Sequence, residues 1–161
     1  MRRQTTRVVF TVVAVMTVAL FVAGQSADPW AGTWKLNLTK SKYSPGPPPK
    51  SMTSKIGALE GGVKVTIDTV NAQGQPTPPL ESIAKFDGKD YTVKGGPAAA
   101  NTTRAYKKVD GHVEYVTKVD GKVTITTKWA VSRDGKTLTV TQAGKNAQGQ
   151  TVNNTLVFDK Q

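Results

Sequence analysis

Residues 109–140 read VDGHVEYVTKVDGKVTITTKWAVSRDGKTLTV, and three times within them an Asp-Gly pair interrupts a run of alternating apolar and polar residues. Alternation with a period of two sends successive side chains to opposite faces of a strand. Asp-Gly supplies the positive φ that a tight hairpin requires. A chain written this way runs up, turns, and returns beside itself. Working outward, a fourth Asp-Gly at 87–88 and the same alternation on either side give ten candidate strands, at 33–38, 52–59, 63–70, 80–86, 90–93, 102–109, 112–119, 122–132, 136–143 and 151–158. No stretch carries a helical period.

Each long strand has one apolar side. The sets are Trp34, Leu36 and Leu38; Val63, Val65 and Ile67; Val113, Tyr115 and Val119; Val123, Ile125, Trp129 and Val131; Leu138 and Val140; and Val152, Leu156 and Phe158. The alternate positions carry Lys, Thr and Asn, among them Lys35, Asn37, Lys64, Thr66, Lys118, Thr124 and Thr139. A meander that is wet on one face and dry on the other hides its dry face by closing on itself, which also removes exposed edges. The expected fold is therefore all-β, an antiparallel up-and-down β-barrel of eight to ten strands.

Two longer breaks interrupt the meander. Residues 40–50 contain SPGPPPK, which no helix or sheet interior accepts, and 94–101 form a Gly-Pro-Ala loop. The pentapeptide NAQGQ occurs at 71–75 and again at 146–150. Asn followed three places later by Gly suits a type I turn ending on a left-handed Gly, so recurrent turn chemistry and an old duplication both account for it.

The chain opens with Arg2, Arg3 and Arg7, an apolar run over 8–23, and then GQSADP. That order is the plan of a secretory signal peptide, and the run is shorter than the roughly 20 residues needed to span a bilayer. The expected organisation is a signal peptide over 1–27, cleaved between 24 and 27, followed by one barrel domain over 28–161, periplasmic or secreted. Without cysteine, no disulfide framework exists and an apolar core must carry stability. With the three leader arginines removed from the 22 basic residues, 19 remain against 11 acidic ones, a net charge of about +8. A charge of that sign attracts anionic envelope glycans and lipid headgroups. Nucleic acid is not expected, since no aromatic platform is interleaved with the basic residues. A monomer is expected.

Gly32, Thr33 and Trp34 at the start of the meander, with Phe158, Asp159 and Lys160 at its end, resemble the lipocalin and fatty-acid-binding-protein superfamily, the calycins. The GTWKLN…KSKYSPGPPPKS opening also resembles that of a group of small secreted bacterial proteins. The calycin resemblance implies a barrel that holds a small hydrophobic or amphipathic molecule. Three departures accompany it. The helix pair that lids fatty-acid-binding proteins is replaced by the Pro-rich 40–50 segment. Their last-strand Arg-x-Tyr, which grips a carboxylate, has Asn154, Thr155, Leu156, Val157 and Phe158 in its place. The lipocalin Arg that covers the first-strand Trp has no clear counterpart.

Chemistry-bearing residues are few. The one histidine, His112, follows the Asp110-Gly111 turn and is expected at the surface of a hairpin. One His and no Cys cannot assemble a usual zinc set, and no Gly-x-Ser-x-Gly occurs. An enzyme, a metal and a cofactor are not expected. The anticipated function is ligand holding. Eight strands already enclose room for one small ligand, and ten lined by Val, Thr, Ala and Leu leave more. The expected lining is Trp34, Leu36, Val65, Ile67, Tyr115, Trp129, Leu156 and Phe158, with Arg104 and Tyr106 as polar handles if their strand turns them inward. Thr103, Ala105 and Val109 form an equally good inner set for that strand. The alternative function is a surface module for an anionic envelope glycan or a protein partner.

Overall fold

A computed structural model describes residues 28–96, 100–146 and 148–161; the leader expected over 1–27 lies outside these residues. The described chain contains ten strands and no helix: β1 (Gly32–Leu36), β2 (Ser51–Leu59), β3 (Gly62–Val70), β4 (Leu80–Lys85), β5 (Tyr91–Lys94), β6 (Thr102–Val109), β7 (His112–Val119), β8 (Lys122–Val131), β9 (Thr137–Lys145) and β10 (Thr151–Lys160). Every strand pairs antiparallel with its neighbours in sequence, and β10 returns to β1 through Leu36 opposite Phe158, closing the barrel. Nearest-neighbour connection explains why the Asp-Gly turns sufficed to lay out the topology. Asp110 and Asp120 take up positive φ together with Gly111 and Gly121, giving the two central residues of a primed turn. The two NAQGQ segments make the same turn: the Asn71 and Asn146 amides donate to the carbonyl oxygens of Gln75 and Gln150, the Gly74 and Gly149 amides donate to the carbonyl oxygens of Asn71 and Asn146, and the Gln75 and Gln150 amides donate to the Asn side-chain oxygens.

Because the strands run up and down, the connections alternate between two ends. The β1–β2, β3–β4, β5–β6, β7–β8 and β9–β10 connections share one end; β2–β3, β4–β5, β6–β7, β8–β9 and the residues before β1 share the other. The second end is packed solid. Trp34 is fully buried and its indole N–H donates to the Trp30 carbonyl oxygen at 2.9 Å. Trp30 meets Phe86 edge-on at 5.7 Å, and the Lys108 ammonium lies about 5 Å from both rings while pairing with Asp28 at 2.6 Å. The missing lipocalin Arg is replaced in kind: the Lys160 ammonium sits 5.1 Å from the centre of the Trp34 ring, a cation–π contact that a long cation of either type can make.

Two residues of the expected inner face point outward. Leu38 is 41% exposed, because β1 ends at Leu36 and the chain turns away from the wall. Val123 is 60% exposed because the β7–β8 register shifts: Thr117 pairs with Ile125 and Lys118 with Val123, so Thr124 bulges out of the pairing and every residue before it changes face. Gly144 accommodates that bulge. It has a φ of 147°, and a Cβ there would overlap the Thr124 carbonyl oxygen. Gly144→Ala is expected to destabilise the barrel by about 2–3 kcal/mol, seen as a lower urea midpoint with an unchanged m-value; an unchanged midpoint would show that the bulge relaxes freely.

Candidate functional site

The barrel interior divides along its axis. Toward the Trp34 end, side chains fill it. Toward the other end a cavity of about 260 Å³ remains, slightly below the usual span for small-molecule pockets. Residues from three connections at that end, Tyr43, Thr77, Pro78 and Gly96, join its lining and mark the mouth. Tyr43 belongs to the Pro-rich segment, which follows β10 beyond the end of β1 through reciprocal bonds between Lys42 and Thr155.

Six of the ten expected site residues line this cavity: Ile67, Arg104, Tyr115, Trp129, Leu156 and Phe158. The other four do not. Trp34, Leu36, Val65 and Tyr106 are buried in the core cluster and do not reach the cavity. Tyr106 packs against Tyr115 and Trp129, at ring separations of 4.6 and 6.1 Å, without reaching the cavity. The β2 residues Met52, Ser54 and Ile56 also line the cavity. Their segment, SMTSKIGAL, has no clean alternation to announce an inner face. Leu138 and Val140 show the alternation and line it as well.

The wall is apolar except at a few groups, and Arg104 is the charged one among them. β6 turns Arg104 inward, 9% exposed, with its guanidinium carbon 5.0 Å above the Tyr115 ring. Its Nε and Nη1 find no hydrogen-bond partner among the described residues, and no carboxylate belongs to the lining. Burial disfavours the charge, but the Tyr115 and Tyr106 hydroxyl groups oppose that, and the guanidinium stays protonated. A buried cation without an anion is costly. The ring face of Tyr115 offsets part of this cost.

Tyr43 presents a second unpaired polar atom at the mouth. Burial pushes its phenol up to about 12 from an ordinary 10.0. A raised acid pKa means that the folded state holds the proton more tightly than the unfolded chain. The contribution is fully present below pH 10 and fades as pH rises toward 12. Tyr43→Phe is therefore expected to flatten the fall in the denaturation midpoint across that interval; an equally steep fall in the variant would show that Tyr43 does not carry it.

His112 is not at a free surface. Its side chain is 16% exposed and bonds Glu114 at 2.8 Å, with Lys128 at 4.0 Å from the same carboxylate oxygen. The group lies on the outer face, away from the cavity. Among the described residues no three His, Cys, Asp or Glu side chains gather as a metal site would require.

No family model matches the sequence, nor does any curated protein. Solved structures do. The chain is similar to the fluorescent protein UnaG at 17% identity, covering 82% of this chain and 97% of that one with a TM-score of 0.58. It is also similar to a single-residue variant of UnaG, at 17% identity over 83% and 96% with a TM-score of 0.59. The likeness is one of fold: a lipocalin and fatty-acid-binding-protein-like barrel.

Proposed function

We propose that this protein is an exported carrier that holds one small amphipathic molecule in the barrel, its apolar body against Ile67, Leu138, Leu156 and Phe158 and its anionic group against Arg104. The observation that carries the reading is the buried guanidinium with free donors facing an otherwise apolar cavity. A carboxylate, sulfonate or phosphate on the ligand would supply the missing counter-charge, and hydrogen bonds between ions are the strong ones. The leader over 1–27 supports delivery to the periplasm or medium. No reaction is assigned, because the cavity brings together no nucleophile and base.

Native mass spectrometry of protein purified from its own envelope tests the reading, the expected result being a retained anionic adduct. Fluorescence offers a local check. Trp129 lines the cavity and Trp34 does not, so an absorbing amphiphile is expected to quench emission that Trp129→Phe removes. Quenching that survives in Trp129→Phe would place the ligand elsewhere.

A further inference from the structure

The cavity sorts its lining by depth. On the strands that descend from the mouth, the last lining residues are Ile56 on β2, Trp129 on β8 and Phe158 on β10, and Leu138, paired with Phe158, stands near the deep end of β9. All four are apolar. Trp34 and Val65 are fully buried and do not reach the cavity, so it ends above them. Nearer the mouth the lining turns polar, with Tyr43, Thr69, Thr77 and Gln142. Arg104 is the third residue of β6 counted from the mouth, above the apolar depth.

Partners separate these polar groups. The Thr77 hydroxyl donates to the Thr69 carbonyl oxygen, and the Gln142 side-chain oxygen accepts from Asn154. The Tyr43 hydroxyl and the Arg104 Nε and Nη1 are buried and bond nothing among the described residues. Tyr43 is carried by the segment that follows β10, and β6 stands four strands from β10 in a ring of ten, nearly across the barrel. Unpaired donors on facing walls call for two oxygen-bearing groups on the ligand, since a buried donor left unmatched is costly. Volume limits the rest. A dry cavity of about 150 Å³ takes benzene, so about 260 Å³ takes about ten non-hydrogen atoms.

We infer that the ligand is a short acid of about ten to twelve non-hydrogen atoms, inserted tail first, with a hydroxyl or oxo oxygen beside its carboxylate. The apolar end rests on Trp129, Leu138 and Phe158, the carboxylate meets Arg104, and the second oxygen accepts from the Tyr43 hydroxyl. The inference rests on the carrier reading and adds size, direction and a second polar contact to it. Tail-first insertion sets a length limit, because further methylenes meet the packed core and lift the acid off Arg104.

Calorimetric titration of the full mature chain with straight-chain carboxylates tests this. From hexanoate to octanoate, affinity is expected to rise about fourfold per methylene. Dodecanoate is expected to bind at least about tenfold more weakly than octanoate, because overfilling a packed site is costly. 2-Hydroxyoctanoate is expected to bind about fivefold more tightly than octanoate, and Tyr43→Phe to abolish that difference. Affinity that levels off or keeps rising through dodecanoate would put the tail at the mouth and overturn the inference, leaving the carrier reading intact. A preference for the 2-hydroxy acid that is missing, or that persists in Tyr43→Phe, would overturn it too. Failure of every acid to bind would overturn the carrier reading with it.

Discussion

Arg104→Met is expected to strengthen the ligand-free protein and to cripple its hold on an anionic amphiphile. The two effects have one cause. Without a ligand, the guanidinium is a desolvated charge whose Nε and Nη1 bond nothing among the described residues, and replacing an uncompensated buried ion by an apolar side chain of similar length stabilises by about 1–3 kcal/mol. With a ligand, the same donors meet an anion, and removing them forfeits about 1.5–3 kcal/mol, or about 10- to 150-fold in affinity. Matched dyes separate the contributions. Anilinonaphthalene sulfonate should lose binding on this scale, whereas the uncharged N-phenylnaphthylamine should bind within about twofold of the parent protein, because Ile67, Leu156 and Phe158 remain. If the variant melts earlier and both dyes weaken together, Arg104 is a structural element of the wall and the carrier reading loses its anion.

Trp34→Ala is expected to be the most destabilising single change outside the cavity, costing about 3–5 kcal/mol. The ring is fully buried, bonded to the Trp30 carbonyl and covered by Lys160. Its removal leaves a void at the packed end, an unpaired carbonyl and a cation without its aromatic face. For a domain of this size the melting temperature should fall by about 10–20 °C. Dye affinity of the protein that remains folded should not change, since Trp34 does not reach the cavity. Loss of dye binding in fully folded Trp34→Ala would show that the two halves of the interior are coupled. Lys160→Met should cost far less, about 1 kcal/mol, because the cation–π contact is lost but the ring stays packed.

The division between these two residues shows where local reading reached its limit. Both were candidates for the lining, and alternation assigned both strands correctly as wall. Alternation says which face a side chain takes, not at what height along the axis neighbouring side chains have already filled the space. Trp34, Leu36, Val65 and Tyr106 lie in the core cluster and do not reach the cavity. Ile67, Arg104 and Phe158 lie at the level of the cavity and line it. Arg104 was further obscured because β6 offers two inner sets of equal merit, and only the pairing of Tyr106 with Tyr115 on β7, itself buried, selects between them. Tyr43 gave no periodic signal at all, since its segment is a Pro-rich strap held by hydrogen bonds to Ser44 and Lys42 from a strand more than a hundred residues away.

Turn residues and two-residue alternation are local properties, and from them the chain itself dictated ten strands, their antiparallel neighbours and the need to close, because each hairpin is specified within a few residues of its own turn. Position along the barrel axis is not local. The packed half around Trp34, the cavity beside it and the isolation of Arg104 from all eleven acids arise only after closure brings distant strands to one level. There, side-chain volume and charge from unrelated stretches of chain meet for the first time.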